Sequence, residues 1–414
     1  MRRVCVVGCG PAGVEAALAG VREGARVTLF EGSPRLPTPR QDWLGLLEDS
    51  APTRSETGAA LTRSGVDLRC DQMVSSVGDD LAVVSRSGRH FFDSVVVSAG
   101  TACVPVALPG CGKSGVHVLA SEDSYTELRD CCFRYSKVLL GGTGSTALGV
   151  AHWLVRKGVQ VTVVAPGGIL PSRFCSLVRG HVLKAASRLG VSIQSSPILK
   201  AMGVDRVEAA LVGGEVHLCD AIVIVPSRVP HVPSVPAETG PSGGILVEPS
   251  MISSVPNLYA AGGCAERVAG GVSISLMSGT TARTSGAVAG SNAAGGCAFM
   301  AAVGVLSGRI LGLSVALAGL SLREARAAGY EALESSSGPD ERSGCSIVFE
   351  VRSRRILGVQ SVSSEDGPSP ELFALMVSKG VVLGDLTSLD HSGSNDISPI
   401  LEAASEGMRL WQRS

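Results

Sequence analysis

No charge of either sign predominates in this chain: the formal net charge at pH 7 is -1. A polyanion binder would carry a basic surplus, so no nucleic-acid partner is expected. Aromatic residues are scarce at 4%, while glycines number 52. That balance suits a fold with many close backbone approaches. The twelve cysteines contain no C-x-x-C pair, and no His/Cys group has zinc-ligand spacing, so no metal is expected. In a chain without an export signal these cysteines read as reduced, small, buried apolar residues. The Met1-Arg2-Arg3 start has too short an apolar run behind it for a signal peptide. The longest apolar stretch, Ala298 to Leu320, is broken by Arg309 and by glycines and serines. It reads as buried or interfacial rather than membrane-spanning. No membrane association and a cytoplasmic location are expected.

What is present begins at Val4. Val4 to Val7 reads as a buried strand, Gly8, Gly10 and Gly13 form G-x-G-x-x-G, and Val14 to Glu23 has helical spacing. Arg26 to Phe30 reads as the next strand and ends at Glu31. A dinucleotide needs each part. Gly8 permits the tight turn, Gly10 lets a pyrophosphate approach the backbone, and Gly13 lets the helix pack on the strand. The helix N-terminus offers free N–H groups and positive dipole charge to phosphates. Glu31 stands where a carboxylate can accept hydrogen bonds from a ribose.

The pattern recurs. Lys137 opens a second unit in which Gly142, Gly144 and Ala147 take the three small-residue places, followed by a helix and the strand Gln160 to Ala165. Ala165 follows Ala147 at the interval that separates Glu31 from Gly13, so the repeat lacks the acid. Arg173 is the nearest downstream cation for a 2′-phosphate; the alternative is a unit that no longer holds a nicotinamide cofactor tightly. Between the two units lie short strands at Val66 to Cys70, Met73 to Val77, Leu81 to Ser85 and His90 to Phe92, then a buried strand running into Ala99-Gly100-Thr101. Strands are also expected at Val191 to Gln194, Val204 to Glu208, Glu215 to Leu218 and Ala221 to Val225. A strand and turn of small residues follow at Leu258 to Glu266, and a small-residue helix at Ser278 to Ala293. Beyond residue 298 the pattern is α+β, with Ser321 and Glu324 at capping-box distance, strands at Cys345 to Val351 and Ile356 to Val362, and helices at Glu371 to Lys379 and Ile400 to Met408.

This order of parts resembles the two-dinucleotide-binding flavoproteins, the pyridine nucleotide-disulfide oxidoreductases. Leu276 to Asn292, Gly319 to Gly329 and Arg355 to Gln360 resemble the branch of NADH oxidases and coenzyme A-disulfide reductases. The resemblance implies an α/β fold of two Rossmann-like domains, the second inserted in the first, plus an α+β C-terminal dimerisation domain. The expected divisions are 1–108 with 226–297 for FAD, 109–225 for NAD(P)H, and 298–414 for a homodimer interface. It places Gly8, Gly10, Pro11, Ala12 and Gly13 at the FAD pyrophosphate and Glu31 at its ribose. Gly100, Thr101 and Gly263 would lie near the same cofactor, and Gly142, Gly144 and Ala147 at NAD(P)H.

The chain departs from that pattern. No cysteine lies between Cys9 and Cys70, where the branch carries its redox cysteine; the place falls near Gln41, Asp42 and Trp43. Gly263 stands for the aspartate of an Ala-Gly-Asp turn, Gly149 for an acid, and Asp390 to Asp396 for a longer tyrosine-containing segment. Cys9 and Cys264 are alternative thiols, though each reads first as a small packing residue. His391 and Asp396 are a candidate acid–base pair, though His391 reads first as a solvated surface residue. The expected function is transfer of hydride from NAD(P)H to FAD and on to a small-molecule or protein acceptor, by other than the usual cysteine route. The alternative is a degenerate paralogue that keeps the fold and acts as a non-catalytic or electron-transfer subunit.

Overall fold

The computed structural model describes residues 1–36, 44–47, 54–171, 173–269, 271–301, 303–337, 342–390 and 397–413. The chain forms two compact units, Met1–Val104 with Arg228–Ala302, and Pro105–Ser227 with Val303–Ser414.

The first unit is built on a five-stranded parallel sheet. Its order is Leu258–Ala260, Ser94–Val97, Arg3–Val7, Arg26–Phe30 and Asp67–Arg69. The central strands are apolar on both faces because both are covered, as a doubly wound sheet requires. On one face the helix Pro11–Arg22 packs against the helix Gly279–Ala294. Their contact is backbone to backbone. A Cβ on Gly286 would lie 2.1 Å from the Ala12 carbonyl oxygen, and one on Gly290 would lie 2.0 Å from that of Ala16. The short strands Val74–Val77, Ala82–Ser85 and Gly88–Phe91 make an antiparallel layer, but the strand expected beside them at Val66 to Cys70 does not join it: Asp67–Arg69 pairs parallel with Arg26–Phe30 at the edge of the main sheet.

The second unit repeats the plan. Its parallel sheet has the order Ser192–Gln194, Gln160–Val164, Lys137–Gly141, Ala221–Ile224 and Val116–Val118. Arg3 pairs with Arg26 in one sheet and Lys137 with Gln160 in the other, the same sequence offset. The expected strand at Val204 to Glu208 is not one. Strands run instead over Ile198–Met202 and Ala209–Val212, and the chain between them turns tightly at Gly203, φ +125°. A Cβ there would lie 2.0 Å from the Arg206 carbonyl oxygen. A tight turn overrode a valine-containing stretch that looked extended.

The tail is an antiparallel sheet in the order Leu306–Ile310, Leu313–Gly319, Ile356–Ser363, Ser343–Glu350 and Ala332–Ser336. The apolar stretch from Ala298 thus holds a hairpin whose first strand, Leu306–Ile310, is largely exposed and whose second, Leu313–Gly319, is largely buried, and no helix among the described residues is long and apolar enough to cross a membrane. The capping box forms as expected: Ser321 N–H donates to Glu324 Oε2 at 2.8 Å, and Glu324 N–H donates to Ser321 Oγ at 3.3 Å.

One buried charge lies in the first unit. Glu266 is fully enclosed and accepts from the Ser242, Gly244 and Ser273 donors around it. Burial alone would raise its carboxyl, but these hydrogen bonds outweigh that and hold it below the usual glutamate range. A depressed folded-state pKa stabilises the fold above the unfolded value, near 4.3, and that stabilisation is lost as pH falls through the folded value. Glu266→Gln is expected to lower stability by about 1–3 kcal/mol at pH 7. The gap to wild type should close as acid is added. Melting curves from pH 7 to pH 3 check it; a gap that stays constant with pH would exclude the linkage.

Candidate dinucleotide sites

The first site forms where four neighbouring strands of the parallel sheet end. After Val7 the chain turns at Gly8, φ +95°, whose N–H donates to the Phe30 carbonyl at 2.7 Å. A Cβ at Gly8 would lie 2.6 Å from the Ser98 carbonyl oxygen, and one at Gly13 only 1.8 Å from that of Gly8. Those two glycines are demanded by the protein's own packing. Gly10 is different: a Cβ there would meet nothing within 4 Å. Its freedom from protein neighbours leaves the loop open on the side where a ligand would come. Gly10 caps the helix without any side-chain hydrogen bond, and Pro11 occupies its first turn. The first-turn N–H groups and the dipole are therefore offered outward.

Glu31 closes one side of this loop. Its Oε2 accepts from Cys9 N–H at 2.8 Å and its Oε1 from Ser33 N–H at 2.9 Å. A carboxylate has about four acceptor positions, so capacity is left for ribose hydroxyls.

Two further turns join the loop. Ser98, at the end of the adjacent strand, donates through Oγ to the Val7 carbonyl at 2.8 Å. Gly100 follows with φ +74° and open space where a Cβ would be. Gly262 lies against Ala12, where a Cβ would come within 2.8 Å of the Ala12 Cβ. Gly263 lies against Thr101: an added Cβ would sit 2.6 Å from Thr101 Cγ2. The Thr101 methyl thus takes the space that an aspartate side chain at 263 would enter. Arg228 fixes this arrangement, donating from Nε to Thr101 Oγ1 at 2.7 Å, from Nη2 to the Thr101 carbonyl at 3.0 Å and from Nη1 to Cys103 Sγ at 3.0 Å. Spacing gives no sign of Arg228, because it reaches the turn from a separate strand, Arg228–Pro230, paired antiparallel with Thr101–Cys103.

The candidate thiols are packed away. Cys9 is buried, and burial, with the Glu31 charge adding to it, pushes its thiol up to about 12. Cys264 is fully buried; its thiol is raised by burial and donates to the Val97 and Ala261 carbonyls at 3.3 and 3.4 Å. Neither environment favours a thiolate. His391 and Asp396 lie outside the described residues, as do Gln41, Asp42 and Trp43.

The second loop copies the first. Gly142 N–H donates to the Val164 carbonyl at 3.2 Å, a Cβ on Gly142 would lie 2.7 Å from the Ala147 Cβ, and Gly144 faces open space. The helix Ser145–Arg156 starts at Gly144 with no side-chain cap. The difference is at the strand end. Ala165 is fully buried and its N–H donates to the Gln194 carbonyl. Arg173, the sequence's candidate for a 2′-phosphate, turns into the tail instead. Its Nη2 donates to the Gly304 and Gly319 carbonyls at 2.7 and 3.1 Å, and Nε lies 3.8 Å from Glu324 Oε1. That guanidinium holds two loops of the tail together.

A duplicated glycine-rich βαβ unit, one copy with its acid intact and one without, defines a two-dinucleotide-binding oxidoreductase fold. The family model for the pyridine nucleotide-disulphide oxidoreductases matches residues 2–286, and the chain belongs to that family. Among curated proteins it is 24% identical over 427 residues to the NAD(P)H sulfur oxidoreductase (CoA-dependent) of Pyrococcus furiosus, covering 96% of each chain. It is 28% identical over 236 residues to an NADH oxidase of Methanocaldococcus jannaschii, covering 53% of this chain and 51% of that one. Among solved structures, an NAD-dependent persulfide reductase from A. fulgidus superposes with a TM-score of 0.85 at 20% identity, over 99% of this chain and 84% of the other. The water-forming NADH oxidase of Lactobacillus brevis superposes at 0.88 and 17% identity, over 100% and 99%.

Proposed function

We propose that this protein is an FAD-dependent oxidoreductase that accepts hydride from NAD(P)H and passes electrons to an acceptor without a redox cysteine in the usual place. The observation that carries this reading is the first loop, where Gly8 and Gly13 are required by packing while Gly10 faces open space beside Glu31. FAD, when bound, supplies the two-electron chemistry. The chain's own residues bind and orient. The N–H groups after Gly10 hold the pyrophosphate, Glu31 accepts from the ribose hydroxyls, and Gly142, Gly144 and Ala147 shape the second loop for the nicotinamide dinucleotide. The proposed acceptor is a small molecule or a small protein; a rubredoxin-NAD(+) reductase of Pseudomonas putida is among the relatives. The domain division 1–108 with 226–297, 109–225 and 298–414 belongs to this reading, as does a homodimer formed through the tail, where Leu375 is 54% exposed on the helix Pro370–Lys379.

Anaerobic titration of the purified protein tests the reading. A yellow protein bleached by both NADH and NADPH is expected. Neither a carboxylate for a 2′-hydroxyl nor a free cation for a 2′-phosphate stands at Ala165 and Arg173, so the two reduction rates should agree within about tenfold, a difference of about 1.4 kcal/mol. A hundredfold preference would reveal an anchor elsewhere. The missing acid at Ala165 also favours a second reading, a flavin-holding subunit; a yellow protein that neither nucleotide bleaches would establish it over the first. A colourless protein that cannot take up FAD would exclude both.

A further inference from the structure

A cluster of three reactive side chains lies in the second unit, outside both nucleotide loops. His117 is on the edge strand Val116–Val118, Cys131 ends the helix Glu122–Cys131, and Tyr135 follows the short turn Cys132–Arg134. His117 Nε2 lies 2.8 Å from Tyr135 Oη and 3.7 Å from Cys131 Sγ, and Cys131 Sγ lies 3.4 Å from Tyr135 Oη. His117 is buried, whereas Cys131 is only half-buried. Cys131 thus keeps partial access to solvent, while the imidazole beside it is enclosed.

We infer that Cys131 is an oxidative modification site, a thiol that hydroperoxides convert to sulfenic acid with His117 as the proton carrier and Tyr135 as the donor to the departing oxygen. The step balances as follows. The sulfur attacks the nearer peroxide oxygen, an S–O bond forms and the O–O bond breaks. Sulfur loses two electrons and the peroxide gains them. The thiol proton passes to His117 Nε2, Tyr135 gives its Oη proton to the leaving alkoxide or hydroxide, and His117 returns a proton to Tyr135 across their 2.8 Å contact, giving Cys131–SOH and an alcohol or water with both partners restored.

The hydrogen-bonded pair beside the sulfur, His117 Nε2 and Tyr135 Oη at 2.8 Å, favours a peroxide as the electrophile. Burial, the main influence, holds His117 below the usual imidazole range, so at neutral pH it is uncharged and able to take a proton. Tyr135 is pushed upward by burial first and by its hydrogen bond with Cys131 second, so it keeps its O–H. A hydroxide or alkoxide leaving group needs a proton, which this pair can deliver; a thiolate leaving group would not need one. The neighbouring cysteine shows the contrast. Cys132 is buried, its thiol is raised chiefly by burial, and it donates to the Arg129 carbonyl at 3.3 Å. The Cys131 thiol also has the Leu128 carbonyl within 3.6 Å, a resting partner that attack must release.

The test uses the full chain as purified. It is exposed to tert-butyl hydroperoxide with dimedone present, and labelling of each cysteine is followed by peptide mass spectrometry. Cys297, which is exposed, is the internal reference. Cys131 should label at least about tenfold faster than Cys297, a modest share of what a positioned proton carrier can give. His117→Gln should bring Cys131 down to the rate of Cys297, and Tyr135→Phe should slow it several-fold with the melting temperature unchanged. Labelling of Cys131 no faster than Cys297 would overturn the inference, as would a His117→Gln variant with an unaltered rate. If His117→Gln fails to fold, Tyr135→Phe decides: an unaltered rate there overturns it.

Discussion

Gly10→Ala is expected to give a colourless protein that melts at the temperature of the flavin-free wild type. The new Cβ meets no protein atom within 4 Å, so the fold has no reason to change. The methyl enters the space over which a pyrophosphate must approach the loop. Gly13→Ala should lose flavin as well, but for another reason. Its Cβ would lie 1.8 Å from the Gly8 carbonyl oxygen and 2.8 Å from Ser98 Oγ. The helix start must move off the strand end, which costs about 1–3 kcal/mol of overpacking and displaces the N–H groups proposed to hold the phosphates. A flavin affinity at least about tenfold weaker, roughly 1.4 kcal/mol, is expected for each variant. Only Gly13→Ala should also lower the melting temperature of the flavin-free protein. Flavin content by absorbance, with melting curves of stripped protein, separates the two effects. Full flavin occupancy in Gly10→Ala would mean that the loop does not face the pyrophosphate.

The second large effect concerns the helix pair. Gly286 and Gly290 lie one turn apart in Gly279–Ala294. Helix propensity alone predicts that Gly290→Ala stabilises the protein by about 1 kcal/mol. Packing predicts the reverse, because the Cβ would lie 2.0 Å from the Ala16 carbonyl oxygen, which is backbone and cannot rotate away. The helices must separate over a face that includes buried Ala12, Ala16, Ala282 and Ala289. A net loss of about 2–3 kcal/mol is expected, and Gly286→Ala combined with Gly290→Ala should leave little soluble protein. Urea denaturation gives the sign directly, and a stabilised Gly290→Ala would refute the close contact. The pairing also reaches the site, since Ala12 follows the phosphate loop and Ser285 Oγ accepts from Gly262 N–H at 3.0 Å.

The parts most legible in sequence were those in which glycine and alternation carry the signal. Gly8, Gly10 and Gly13, the strand before them and Glu31 after them were readable because a tight turn and close packing leave few residue choices. The repeat was readable for the same reason, through Gly142, Gly144 and Ala147. Long-range partners were not. Arg228 reaches Thr101 from far along the chain, and no local pattern marks it. Arg173 looked like a free cation because a sequence cannot show which carbonyls a side chain will find; it found those of Gly304 and Gly319. The glycine at 263 looked like a simple loss. The structure shows Thr101 filling the place, a paired change visible only when the two turns are seen together.

The two parallel sheets share one strand order but not one order of assembly. In the first unit the edge strand beyond Ser94–Val97 is Leu258–Ala260, which arrives after the whole inserted segment. In the second, the corresponding edge strand is Val116–Val118, which precedes the other four, and that sheet has all its strands once Ala221–Ile224 has been made. A chain emerging residue by residue from the ribosome therefore completes these sheets in the reverse of the order in which it begins them. The first unit's sheet, started first, stays open along one edge while the inserted sheet acquires its full set of strands. During synthesis, the side of Ser94–Val97 that will pair with Leu258–Ala260 is an unpaired row of backbone groups, the kind of edge to which a nascent chain's neighbours can adhere.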